Sequence, residues 1–196
     1  FSTGVILEPL PADKIIAGLP AAIADLKEDN WLNAAEAIMT TDTVSKEIAF
    51  RFRAGGKECR IGAIAKGVGM ICPNMATMLM FVTTDCKISP AMLQKALSAD
   101  VKKSLNMVSV DRDTSTNDTL CVMASGLAGN AEIAEANADF KAFCRALNAV
   151  TTAMCRMIAR DGEGATKLIE CRVTGARSVN DARLAAKSVI NSPLLK

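Results

Sequence analysis

The chain has 196 residues, a formal net charge of +2 from 23 Lys and Arg against 21 Asp and Glu, and no histidine. Half of it is hydrophobic and 22% is charged, the balance of a chain that can bury one core, and the small net charge with 4% aromatics gives no basis for a nucleic-acid or anionic-membrane surface. The absent histidine excludes a Ser-His-Asp triad, a Cys-His pair and a histidine metal site within this chain.

In chain order, residues 11–28 have helical composition, interrupted near Pro20, and residues 30–38 read as a short helix capped by Asn30. Met39 to Thr43 is a polar loop. Residues 47–53 alternate, with Ile48, Phe50 and Phe52 on one face and Glu47, Arg51 and Arg53 on the other. Gly55-Gly56 turns the chain, and Cys59, Ile61 and Ala63 resume the alternation, so a β-hairpin is expected. Residues 77–84 read as a buried strand. Ser89-Pro90 is an N-cap followed by a proline at the first helical position. The helix after it carries a stripe of Leu93, Leu97, Val101 and Leu105. Residues 117–127 read as a helix closed by Gly126 or Gly129. Residues 136–160 carry the clearest helical period, through Phe140, Phe143, Cys144, Leu147, Val150, Met154, Met157 and Ile158. A strand over 166–174 and a helix over 179–190 complete an α/β chain with antiparallel strands and packed helices.

The uncharged run from Val68 to Thr84 is short for a membrane span and contains Pro73 and Asn74, so it reads as buried structure. The seven cysteines, Cys59, Cys72, Cys86, Cys121, Cys144, Cys155 and Cys171, are odd in number and include no C-x-x-C pair. Reduced, mostly buried thiols are expected rather than a disulfide framework or a zinc ribbon. Position 1 is Phe and no signal-peptide pattern follows, so the chain reads as part of a longer protein.

Asp111 to Asp118 has the oxygen-rich look of a calcium loop, but Thr116 stands at the glycine position and Val122 at the bidentate acid. A loop whose side chains cap the next helix is the plainer reading. Gly67-Val-Gly69 is not a dinucleotide fingerprint, because Cys72 stands where a third glycine belongs. Asp161-Gly-Glu163-Gly reads by itself as a helix stop. Residues 66–85, KGVGMICPNMATMLMFVTTD, are less ordinary. Taken alone, Thr77 there is simply the β-branched start of a strand.

That stretch resembles the self-cleavage site of the ornithine acetyltransferase family, the glutamate N-acetyltransferases of arginine biosynthesis, whose KG-x-GMI-x-PNMATML segment is cut between Ala and Thr. Other blocks agree in order: Ser2-Thr-Gly-Val-Ile6 (with Leu7 for the family's glycine), Met39-Thr-Thr-Asp-Thr43, Asp111 to Thr119, Asp161 to Lys167 and Ser188 to Lys196. Family members are longer at both ends, so the chain is expected to be a central portion. Residues 1–76 would end an α-subunit at the cleavage site, and residues 77–196 would begin a β-subunit. The resemblance implies an αββα-type sandwich of the DmpA/ornithine acetyltransferase-like class.

It also implies a mechanism that needs no histidine. The Thr77 hydroxyl attacks the Ala76 carbonyl, and hydrolysis of the resulting ester frees a new N-terminus. Its α-amine, with an ordinary pKa near ~8, then serves as base for the same residue's hydroxyl. Thr77 would carry acetyl from N-acetylornithine to glutamate in two half-reactions. Thr3 (hydroxyl) and Gly4 (N–H) would form the oxyanion hole, and Thr40, Lys66 and Glu163 would contact substrate. No metal or organic cofactor is implied, with acetyl-CoA a co-substrate only in bifunctional members. The implied assembly is αβ heterodimers in a higher oligomer, in the cytoplasm or, as in fungal relatives, the mitochondrial matrix. Two other readings stand beside this one: a related self-processing amidase or aminopeptidase, and an inactive fragment serving as a structural module.

Overall fold

The computed structural model describes residues 7–71, 78–113 and 115–195. Its sheet grows from the hairpin. β1 (Lys46–Ala54) and β2 (Lys57–Lys66) pair antiparallel, joined by Gly55 and Gly56 at φ of 55° and 74°. Two successive positive φ values give the turn whose twist matches the strands, and glycine adopts them without a Cβ clash. β3 (Leu79–Thr84) pairs antiparallel with β2, and β4 (Thr119–Ala124) pairs parallel with β3, in the order β1-β2-β3-β4.

Alternation puts Cys59, Ile61, Ala63 and Ala65 of β2 on the buried face, joined by Met80 and Val82 of β3. α4 (Ala138–Arg160) lies across β1 and β2 and covers that face with Phe143, Leu147, Val150, Met154 and Ile158. Phe143 meets Phe52 edge-on, with ring centroids 6.0 Å apart. Each such fully buried side chain stabilises the fold by about 1.5–3 kcal/mol. Asn137 caps α4 by accepting the Phe140 N–H at 2.9 Å.

α3 (Pro90–Val101) starts as expected, with Ser89 accepting the Met92 N–H. Its buried positions are Met92, Ala96 and Asp100, one step round from the anticipated leucine stripe. Asp100 faces α4, accepting from Asn148 Nδ2 and Thr151 Oγ1, both at 2.7 Å, so a polar contact and not a leucine row sets this helix's rotation. α5 (Val179–Ile190) occupies the anticipated range and is capped by Ser178. α1 (Ala12–Ala24) contains Pro20 and buries no residue. α2 (Trp31–Ala37) follows Asn30, but Asn30 Nδ2 donates to Asp25 and the side chain caps nothing.

Two expectations fail. Residues 117–127 hold β4 and not a helix: the parallel ladder to β3 satisfies the backbone of Thr119–Ala124, and such a pairing overrides a weak local period. Gly126 and Gly129, both at positive φ, turn the chain after that strand. Residues 166–174 form no strand, because no neighbouring strand among the described residues offers them a ladder. No helix of the described residues is long and apolar enough to cross a membrane.

Candidate active site

The sheet register lines up one end of three strands. Lys66 closes β2 opposite Leu79, the first residue of β3, and Leu79 lies opposite Thr119, the first of β4. Lys66 is 3% exposed, and its Nζ donates to Thr40 Oγ1 at 2.9 Å. The adjacent Thr41 donates to Glu163 Oε1 at 3.3 Å, and the Glu163 N–H donates to the Val68 carbonyl at 2.8 Å. Thr40, Lys66 and Glu163 therefore come together from a loop, a strand end and a helix stop. With Thr41 and residues 68–70 they line one cavity of about 240 Å3. Gly69 makes the fit possible, since a Cβ there would lie 2.9 Å from the Glu163 carboxylate.

Under this cavity sits a buried ion cluster. Lys46 is fully buried and donates to Asp42 Oδ1 and to Asp161 Oδ2, each at 2.6 Å. Asp42 also accepts the Gly67 N–H at 2.8 Å and the Thr40 N–H at 3.2 Å. Asp161 accepts the Thr43 N–H at 3.1 Å. Burial pushes the Asp42 carboxyl up, but Gly67, Lys46 and Thr40 outweigh it and hold the group below the usual carboxylate range. The same holds for Asp161, with Lys46 and Thr43 outweighing burial. The cluster ties the Thr40 loop, the Lys66-Gly67 strand end and the Asp161–Glu163 stop into one unit. Burial lowers the pKa of Lys66, further lowered by Lys46 and partly offset by Asp42 and Asp118.

The loop expected to cap a helix instead ties down the neighbouring chain. Asp111 accepts the N–H groups of Met70, Ile71 (2.9 Å) and Asp113 (3.0 Å). Asp118 accepts the Met78 N–H at 3.0 Å, and the Met78 carbonyl accepts the Thr119 N–H at 2.9 Å. Among the described residues no group of three or more His, Cys, Asp or Glu is placed to hold a metal ion. Burial pushes the Cys86 and Cys155 thiols up to about 12, which leaves them protonated and unreactive at neutral pH. Thr3, Gly4, Ala76 and Thr77 lie outside the described residues.

The profile of the ArgJ family matches residues 1–196. The chain belongs to the ArgJ family. It is 55% identical over 195 residues to the arginine biosynthesis bifunctional protein ArgJ of Symbiobacterium thermophilum, covering 100% of this chain and 48% of that protein. It is 49% identical over 195 residues to ArgJ of Listeria monocytogenes, with the same coverage. The crystal structure of ArgJ from Bacillus halodurans is similar at a TM-score of 0.57 and 48% identity, over 59% of this chain and 55% of that one. The chain spans about half the length of the ArgJ relatives it matches.

Within this ArgJ-family chain, sequence reasoning named Thr40, Lys66 and Glu163 but not Lys46, Asp161 or Asp118 as parts of the site. Asp42 was visible only as a letter of the Thr-Thr-Asp-Thr block. Lys46 stands just before the expected strand, where a lysine reads as solvent-facing, and nothing in a single sequence shows that Asp42, four residues back, and the distant Asp161 neutralise it.

Proposed function

We propose that the protein containing this chain is a self-cleaving acyltransferase of arginine biosynthesis, cut between Ala76 and Thr77, which moves acetyl from N-acetylornithine to glutamate. The observation that supports it best is the small cavity with opposite charges on its wall. Lys66 offers a buried cation that suits a substrate carboxylate, and Glu163 offers an anion that suits its amino group. Thr40, hydrogen-bonded to Lys66, holds the lysine head at the cavity rather than in the core.

In this reading residues 1–76 end the α-subunit and residues 77–196 begin the β-subunit. Thr77 attacks the acetyl carbonyl while its own α-amine takes the hydroxyl proton, which frees ornithine. Glutamate then takes the acetyl group by the reverse sequence. Thr3 and Gly4 donate to the oxyanion, and loss of one such donor lowers the rate by about 10²–10³-fold. The relatives' description as bifunctional supports a second use of the acetyl-enzyme, with acetyl-CoA as donor and glutamate as acceptor. No step needs a metal or an organic cofactor. The αβ pairs assemble into a higher oligomer, and the reaction takes place in the cytoplasm.

The test is a denaturing gel of the full-length protein. Wild type runs as two chains, and Thr77→Ala runs as one and transfers no acetyl. Intact wild-type protein that still transfers acetyl would sink this reading.

A further inference from the structure

Lys66, Val68, Gly69 and Met70 form one wall of the small cavity, and the last of them sits in a strained backbone, at φ of 55°. A side chain in that left-handed region crowds the following carbonyl, a cost that glycine escapes. Neighbouring contacts impose the conformation. The Asp111 carboxylate accepts the N–H groups of Met70 and Ile71, and the Ile71 carbonyl accepts the Val110 N–H at 2.6 Å. The backbone on both sides of the Met70 Cα is thereby pinned to the loop at 110–111.

Glycine would take this turn freely, and glycines already stand at 67 and 69. A methionine at 70 therefore needs a reason in its side chain. Packing does not supply it. Met70 is 47% exposed, and among the described residues it belongs neither to the buried core nor to the half-buried residues packed against that core. What the side chain does have is the cavity, which it lines together with Lys66 and Glu163.

Chain order gives this wall a direction. It starts at the Lys66 ammonium, and the Val68 carbonyl then accepts the Glu163 N–H at 2.8 Å. Gly69 follows, so close to the Glu163 carboxylate that a Cβ there would lie 2.9 Å from it. Met70 comes next, past the anion. A substrate that spans Lys66 and Glu163 with its carboxylate and its amine therefore brings its amine end to Met70. In the lining only Met70 is both long and apolar. Its thioether fills space but offers an ammonium no strong acceptor.

The geometry points to Met70 as the residue that limits substrate length: its side chain closes the amine end of the cavity and excludes N-acetyllysine, the donor one methylene longer than N-acetylornithine. This rests on the reading of Lys66 and Glu163 as contacts for the two ends of an acetylated diamino acid. A cavity of about 240 Å3 cannot take up an extra methylene without displacing a wall, and a wall of this kind discriminates by about 10–200-fold.

The test uses full-length protein with glutamate as acceptor and compares kcat/KM for N-acetylornithine and N-acetyllysine. Wild type is expected to favour N-acetylornithine by at least about tenfold. Met70→Ala and Met70→Gly open the end of the cavity and should shrink that preference by about tenfold or more, while Met70→Leu, of similar volume, retains it. Met70→Gly also removes the left-handed penalty, so its thermal midpoint should not fall below that of Met70→Ala. An unchanged preference in both shortened variants, or an equal loss in Met70→Leu, overturns the proposal and leaves the transferase reading standing. So does a wild type that takes both donors equally well. A Met70→Gly protein that does not fold shows the side chain to be packed in the full-length protein, and overturns the proposal too. Wild type that takes acetyl from neither donor overturns the substrate reading, and this inference with it.

Discussion

Lys46, fully buried, and Asp118, half-buried, are charged residues with opposite energetic signs. Lys46 is matched by two carboxylates at 2.6 Å, so its removal strands both of them. Lys46→Met is expected to lower the stability of the full-length protein by about 3–5 kcal/mol, read as a shift in the urea midpoint at unchanged slope. The folded-state pKa values of Asp42 and Asp161 lie below their unfolded values. Their contribution is therefore complete above about pH 4 and is lost as pH falls through the lowered folded values. Unfolding midpoints measured down the acid range should fall for wild type and be much flatter for Lys46→Met. Asp118 works the other way. Its folded pKa of about 6 lies above the unfolded value near ~3.9, so its ionised form costs stability at neutral pH, and that cost fades as pH falls between the two. Asp118→Asn should therefore raise the thermal midpoint at about pH 7 and lose that advantage by about pH 4. Gly69→Ala is a third residue-scale case. The new methyl meets the end of a flexible side chain, Glu163, so stability should change little. The carboxylate must move, however, and if the proposed reaction holds, KM for N-acetylornithine in the full-length protein should rise several-fold with kcat less affected.

At the scale of elements, legibility followed how local each cause is. α4 and α5 were readable because period, cap and stop sit within one segment: Asn137 and Ser178 both accept the backbone N–H three residues on. Ser178→Ala is expected to cost about 1 kcal/mol, seen as a lower midpoint or as added exchange of the first-turn amides of α5. Met154→Ala, at the centre of the α4–sheet contact, is expected to cost about 2–5 kcal/mol. The hairpin was readable because two glycines mark its turn. β4 was not: its parallel pairing with β3 joins residues 40 apart along the chain, Leu79 with Thr119, and leaves no local signature. The 166–174 segment failed in the opposite sense, having strand composition but no strand among the described residues paired with it.

At the scale of the molecule, α1 exposes Ile15, Ile16, Leu19 and Ile23 and buries nothing, although its composition is that of a packed helix. The relatives it matches are about twice as long as this chain. The 196-residue polypeptide assayed by itself is accordingly expected to transfer acetyl weakly or not at all, with activity appearing in the full-length protein. Turnover by the isolated polypeptide at the full-length rate would contradict this. The amino-acid sequence by itself settled that no histidine of this chain takes part in the chemistry, and which family blocks were present and in what order. It also settled α4, α5 and the hairpin, whose causes are short-range. Only the tertiary structure decided that Thr40, Lys66 and Glu163 share one cavity, that Lys46 is neutralised beneath it, and that Asp118 holds the amide next to Thr77. Those meetings depend on strand register and on where α4 ends against the sheet, and contacts between residues tens of positions apart leave no periodic trace in a single chain.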